Sequence, residues 1–419
     1  MIRFRCFVRH GTEILLLRRR RGDWGVPSGA GEEPLTDQNP KEILGRLGLE
    51  EASLTARGKP HDIEQGSGNR YQAFLYEAAT RELENADGSL EAQWLAAPEL
   101  LLLRDSVASL WSSYRTVSPT LRQVQEDREH GSSWISLRAL ETLRDEAVDL
   151  GRAGAEPGAT EAKLVGLARD LRNAHPSMVA VANRLHRVLA SARTAQNRKQ
   201  VGLEVAAAAQ RCLSEAIDNE HAAAQQAAAL VAGRSVLTLS RSGSVSQALV
   251  LASPAPRVFV TESRPGGEGA AVARELAAAG LDTTLIADAA MGRALTDGRV
   301  DVVLVGADAV LADGTLVNKC GTRLAALAAH SLAVPLYAVA TRDKVSPRLS
   351  IDLEGDTSDS GERRGPHHFR PLFELTPGEL VSKILTEEGH LEPSDLAAIC
   401  LAAEREECLS GLRTTMAAE

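Results

Sequence analysis

Aromatic residues are scarce in this 419-residue chain, at 3%. No apolar run reaches the roughly 18–20 residues that a bilayer-spanning helix needs. Residues 1–10 are too polar for a secretion signal, so a cytoplasmic protein is expected. The five cysteines, Cys6, Cys212, Cys320, Cys400 and Cys408, are scattered, odd in number and free of any Cys-x-x-Cys pair. That pattern supports neither a disulfide framework nor a zinc site. Lysine is nearly absent: there are seven, Lys41, Lys59, Lys163, Lys199, Lys319, Lys344 and Lys383. The positive charge is therefore mostly arginine, as GC-rich coding alone would produce. With 56 acidic against 47 basic residues the net charge is −9, which argues against direct nucleic-acid binding.

Hydrophobic residues make up 44% of the chain and charged residues 25%, the balance of a folded protein. The length exceeds what one ordinary core accommodates, so two or three domains are expected. Residues 3–8 and 13–17 are short apolar runs separated by His10-Gly11-Thr12, which reads as a hairpin. A short helix over 41–49 and further strands at 71–76 and 92–95 complete a small α+β unit over residues 1–110. From 116 to 232 alanine, leucine, arginine and glutamate recur at helical spacing, and 202–231 is alanine-rich enough for one long helix. After Gly233 the rhythm changes to unbroken apolar runs at 236–239, 258–260, 284–286, 302–305 and 336–339, alternating with helical stretches. Such runs are strands covered on both faces, hence a parallel sheet in an α/β domain over 233–410.

In parallel sheets ligands collect where the strands end at their carboxyl side. After the first run come Ser240, Arg241, Ser242, Gly243 and Ser244 at a helix start, a setting that suits a phosphate and equally suits a simple helix cap by Ser242 or Ser244. After the second run Arg264 precedes Pro265, with Glu268 beyond a glycine pair; its guanidinium offers a planar fork to a phosphate or makes a surface ion pair. After the fourth run stands Asp308, placed for acid–base work, for gripping a sugar hydroxyl, or for capping a turn. Asn318, Lys319 and Cys320 read as opening the next helix, where an anion is favoured.

The stretches Thr-Glu-Ser-Arg-Pro at 261–265, Val-Gly-Ala-Asp-Ala-Val at 305–310, Asn-Lys-Cys-Gly-Thr at 318–322, and the tail at 371–377 and 384–389 resemble the family of translation initiation factor 2B alpha, beta and delta subunits. That family also contains ribose-1,5-bisphosphate and methylthioribose-1-phosphate isomerases. The resemblance spans roughly residues 130–400. It implies a helical part followed by a Rossmann-like domain, and a dimer or higher oligomer. It also implies that Asp308 keeps the isomerases' aspartate, that Ser240 stands at their cysteine, and that Arg264, Asn318 and Lys319 match contacts to phosphate or sugar. Glu268 stands where those enzymes generally have glutamine. A serine hydroxyl is far less acidic than a thiol of pKa about 8.5, so Ser240 does not readily replace a thiolate.

Residues 1–110 resemble a Nudix domain through 7–19 and the Trp-Gly-Val-Pro-Ser-Gly at 24–29. In the stretch 41–49, Glu42 and Gly48 match the Nudix pattern, while Gly45 and Arg46 stand where carboxylates would hold magnesium. A cation in place of an oxygen ligand makes that site hostile to a hard dication.

The expectation is a degenerate Nudix module fused to an initiation-factor-2B-like protein that binds a phosphosugar or a nucleotide such as AMP in a regulatory, non-catalytic role. Alternatives are a ribose-phosphate isomerase with Asp308 as acid or base and Ser240 or Cys320 covering for the thiol, a Nudix hydrolase using Glu32 and Glu33, and a translation initiation factor partner acting through protein contact alone. No cofactor is expected, magnesium entering only if the Nudix module is active.

Overall fold

A computed structural model describes residues 2–11, 13–18, 24–31, 38–49, 54–56, 61–65, 69–79, 83, 91–98, 107–127, 130–194, 200–353 and 371–412. Glu32, Glu33 and the polar stretch 354–364 lie outside these residues. The chain divides into two units, Met1–Thr120 and Leu121–Glu419.

In the first unit the strand Ile2–His10 pairs antiparallel with Glu13–Arg18 and parallel with Asn69–Ala78, inside an eight-stranded mixed sheet. The expected hairpin around Gly11 is therefore present. Phe4, Cys6, Val8, Leu15, Phe74 and Tyr76 form the core beneath the helix Gln38–Gly45, whose Leu44 is buried among them. The helix Val107–Val117 belongs to this unit: its Tyr114 ring meets Phe7 edge-on at 5.9 Å.

The second unit begins with helices, including Ser132–Arg152, Pro157–Ala174, Val179–Thr194 and the 31-residue Val201–Val231. Alanine dominates the last of these, costs little side-chain entropy in a helix and lets neighbouring helices approach closely. Ala223, Ala227 and Val231 from its final turns enter the core of the following sheet.

That sheet has seven strands in the order Thr283–Ile286, Arg257–Thr261, Ser235–Thr238, Val302–Gly306, Leu336–Val339, Lys383–Thr386 and Gly389–His390. All neighbours run parallel except the last pair. The strand Val302–Gly306 is buried at every residue, which explains its unbroken apolar sequence. The strand beginning at Ser235 is flanked by strands built from later residues on both sides, so the winding reverses between it and Val302–Gly306. A crevice opens at such a reversal.

One element departs from the sequence reading. Leu316–Lys319 is a strand, the middle member of a three-stranded antiparallel sheet with Ala309–Val310 and Phe373–Thr376, and the helix starts only at Thr322. Asn318 and Lys319 thus end a strand instead of opening a helix. The polar Asn-Lys pair hid a β-ladder whose partner, Phe373–Thr376, lies more than fifty residues downstream.

Candidate functional site

The residues after the first, second and fourth strands converge at the reversal. Ser242 ends the extended segment after the first strand and caps the helix Gly243–Leu251, its hydroxyl accepting from the Val245 amide at 3.4 Å. Gly306 ends the fourth strand beside it. A Cβ built at Gly306 would come 2.6 Å from the Ser242 Oγ, so only glycine permits this approach. The helix Gly269–Ala278 starts equally close to the second strand, where a Cβ on Gly269 would fall 1.7 Å from the Thr261 carbonyl oxygen.

Ser240 and Ser263 both adopt the left-handed backbone conformation, at φ 61° and 60°. Non-glycine residues populate it at a cost, and here hydrogen bonds hold it. The Ser240 amide donates to the Ser263 Oγ at 2.6 Å. The amides of Ser263 and Arg264 each donate at 2.8 Å to the carboxylate of Asp288. The Ser240 side chain then donates to Glu268 Oε1 at 2.7 Å.

Asp308 is only 7% exposed. Its amide donates to the Val317 carbonyl at 2.8 Å, which fixes the backbone at the end of the fourth strand. Its carboxylate makes no side-chain hydrogen bond or ion pair among the described residues. Asn318, also buried, donates from Nδ2 to Thr322 Oγ1 at 3.0 Å, and Thr322 donates on to the Lys319 carbonyl. The Lys319 ammonium sits 4.5 Å from the centre of the Phe373 ring. Arg264 is largely exposed, at 70%, and reaches Glu262 at 3.4 Å. The structure therefore brings Ser240 to Glu268 and Ser242 to Gly306, two residues before Asp308. It gives Arg264 an exposed carboxylate partner and Lys319 an aromatic one. Gly243 opens the capped helix with free space around it. Cys320 is partly exposed, and its thiol is pushed up by burial and by the carboxylates of Glu374 and Asp288. Asp288 thus lies within electrostatic reach of both the Arg264 loop and the Lys319–Cys320 turn.

A buried network supports the crevice from the helical side. Arg184 is fully buried and donates to Asp343 at 2.9 Å and to Ser136 at 2.5 Å, with Glu220 at 3.5 Å. Ser244 donates to the other oxygen of Glu220. Burial would raise the Glu220 carboxyl, but Lys344, Arg184 and the hydroxyls of Ser133 and Ser244 outweigh it and hold the group below the usual value. Lys344 itself is 3% exposed. Asp288 carried a legible signal, being an acid just after the third strand. Glu220 carried none, since it sits within a long helix among other charged residues.

In the first unit, Gly45 and Arg46 are exposed at the end of their short helix. Glu42 is the only carboxylate in the stretch 41–49, so these residues do not fit a magnesium ion. No group of three or more His, Cys, Asp or Glu side chains suited to a metal occurs among the described residues. Among them, also, no helix is long and apolar enough to cross a membrane.

Comparison with known proteins places this site in a family. A methylthioribose-1-phosphate isomerase of Xanthomonas euvesicatoria is 34% identical over 281 residues, 61% of this chain and 77% of the relative. A ribose 1,5-bisphosphate isomerase of Haloferax volcanii is 30% identical over 301 residues, 68% of this chain and 91% of the relative. The crystal structure of a translation initiation factor eIF-2B from Pyrococcus horikoshii superposes with a TM-score of 0.57 at 27% identity, covering 66% of this chain and 97% of that one. The model of the initiation factor 2 subunit family matches residues 128–393, and the chain belongs to that family.

Proposed function

We propose that this chain binds a phosphorylated pentose at the reversal point of its carboxy-terminal sheet, and that the crevice keeps acid–base groups suited to aldose–ketose isomerisation. The observation that carries the reading is Asp308, a carboxylate 7% exposed at the end of a central strand, without a side-chain partner among the described residues. Its oxygens are not sealed from solvent, so a sugar hydroxyl can reach this carboxylate and form a charge-assisted hydrogen bond with it. Ser240, Ser242 and Glu268 supply further polar contacts. The start of the helix Gly243–Leu251 favours a phosphate through its amides and dipole. The named activities of the relatives from X. euvesicatoria and H. volcanii support a ribose phosphate as ligand.

Calorimetric titration with ribose 1,5-bisphosphate, methylthioribose 1-phosphate and AMP tests the reading. Asp308→Ala is expected to weaken binding by about 10- to 100-fold, the effect of a hydrogen bond to a charged group. Equal affinity in wild type and variant would sink it. Binding with no turnover would return the site to a regulatory role.

A second reading, action purely through protein contact in an initiation-factor assembly, is favoured by the exposure of Arg264 and by the structural similarity to the P. horikoshii factor. It requires that none of the three ligands bind and that a defined partner co-purify. In the same proposal the first unit is a degenerate Nudix module, because Gly45 and Arg46 replace the carboxylates a magnesium site would need. Unchanged nucleoside diphosphate derivatives after incubation with magnesium would agree with that, and their cleavage would overturn it.

A further inference from the structure

We propose that Glu268 is the proton carrier of this crevice and that Ser240 positions it; the inference rests on the pentose-phosphate reading above. Ser240 is 6% exposed and gives its hydroxyl hydrogen to Glu268 Oε1 at 2.7 Å. A hydroxyl committed in that direction is a donor to a carboxylate, so the basic atoms of the pair belong to Glu268. The second oxygen of Glu268 makes no hydrogen bond or ion pair among the described residues and lies beside Gly266, where a side chain would collide with it. Ser240 is in turn fixed by the Ser263 hydroxyl, and Ser263 by Asp288. Glu268 is thus held through a chain of three hydrogen-bonded groups, while the acid on the other side of the reversal, Asp308, has no such tie among the described residues. Two carboxylates with different restraints, Glu268 at the start of the helix Gly269–Ala278 and Asp308 just past the strand Val302–Gly306, with the Ser240 strand lying between the strands that lead to them, form an acid–base pair of the kind a proton shift between adjacent carbons needs.

The chemistry balances with these two groups alone. Protonated Asp308 gives its proton to the ring oxygen as the bond from that oxygen to C1 breaks. Glu268 takes the proton from C2, and the electron pair of that C–H bond forms the C1–C2 double bond of an enol. The enol hydroxyl returns a proton to Asp308 as the C2 carbonyl forms, and C1 takes the proton from Glu268. One hydrogen has moved from C2 to C1 and one from the C2 oxygen to the ring oxygen. Both carboxyl groups end as they began, the phosphate ester on C1 is untouched, and no oxidant or reductant is consumed.

The test follows ribose 1,5-bisphosphate with the full-length protein in deuterated water by NMR, alongside calorimetry on the same samples. Wild type is expected to form the ketose with deuterium at C1. Glu268→Gln, nearly isosteric, is expected to lower turnover by roughly 10²–10⁴-fold, the usual worth of a general base, while the dissociation constant changes less than about threefold. Glu268→Asp should restore part of the rate. Ser240→Ala should lower the turnover rate several-fold while the dissociation constant changes less than about threefold, since Glu268 loses the hydroxyl that holds it in place. Turnover within threefold of wild type in Glu268→Gln overturns the inference. So does a wild type that binds the sugar phosphate yet neither forms ketose nor exchanges the C2 hydrogen, an outcome that leaves the binding reading intact. Absence of binding overturns the binding reading and the inference together.

Discussion

The Ser240 amide meets the Ser263 hydroxyl at 2.6 Å, joining two residues that are both left-handed and stand at the ends of adjacent parallel strands. The Ser240 backbone is held by the Ser263 side chain, and the Ser263 backbone in turn by Asp288. Removing the hydroxyl with Ser263→Ala leaves a buried amide unpaired, and is expected to cost about 1–3 kcal/mol. Ser263→Gly removes the same hydroxyl but relieves the left-handed strain at its own position, so it should cost less. Urea unfolding of the three proteins checks this; an alanine variant as stable as wild type would show that the bond does not hold the turn.

The contact between Gly306 and Ser242 makes a second prediction through double substitution. Gly306→Ala places a methyl 2.6–2.9 Å from the Ser242 side chain. The expected loss is about 1–3 kcal/mol, the usual cost of overpacking. Ser242→Gly opens the space while losing little capping energy, since glycine is tolerated at that position. The double variant should therefore recover most of the loss. Full additivity of the two effects in urea unfolding would show that the clash lies elsewhere.

How much of this site could be read from sequence depended on whether a residue's role was local. Unbroken apolar runs such as that ending at Val305 marked the sheet correctly because burial on both faces leaves a signature within four or five residues. Ser242 was a cap candidate for the same reason, and it caps. Asn318 and Lys319 were placed at a helix start because their strand pairs with Phe373–Thr376, across a long sequence interval. The contact from Ser240 to Glu268 spans 28 residues, and no local pattern shows that a serine and a glutamate in separate loops share a proton. Glu220 was equally hidden, since its partners Arg184, Ser133 and Ser244 come from three other helices.

That last cluster has a measurable consequence. Arg184 is buried with Asp343 and Glu220 as its charged partners, and burial would raise the Asp343 carboxyl were it not that Arg184 and Arg187 bring it below its ordinary value. Arg184→Met leaves two buried acids short of a cation, and should destabilise the second unit by about 3–5 kcal/mol. Arg122→Met, which breaks an exposed pair with Glu126, serves as the contrast and should leave the unfolding midpoint unchanged. Similar midpoints for both variants in guanidinium unfolding would mean that the buried network contributes no more than a surface pair.

His186 sets a pH dependence whose direction is fixed by its surroundings. It sits on the helix Val179–Thr194 and faces the C-terminal helix Pro393–Ser410, with its Nδ1 2.8 Å from the Ser410 hydroxyl. Burial pushes its pKa from 6.5 down to about 4; Glu407 opposes the shift, while Arg172 and Arg348 add to it. The fold therefore favours the neutral ring. Because the folded value is the lower one, the stabilisation is fully present above pH 6.5 and is lost as the pH falls from there towards about 4, by at most about 3 kcal/mol. Glu387 and Glu406, both raised chiefly by burial, act the other way, since their protonation favours the fold as the pH falls. Subtracting the profile of His186→Gln from that of wild type isolates the histidine. Thermal unfolding between pH 7.5 and about 4 should show the wild type losing stability relative to the variant across that window. Parallel profiles would mean that the ring takes up its proton as readily in the fold as in the unfolded chain, with the Glu407 carboxylate fully offsetting burial.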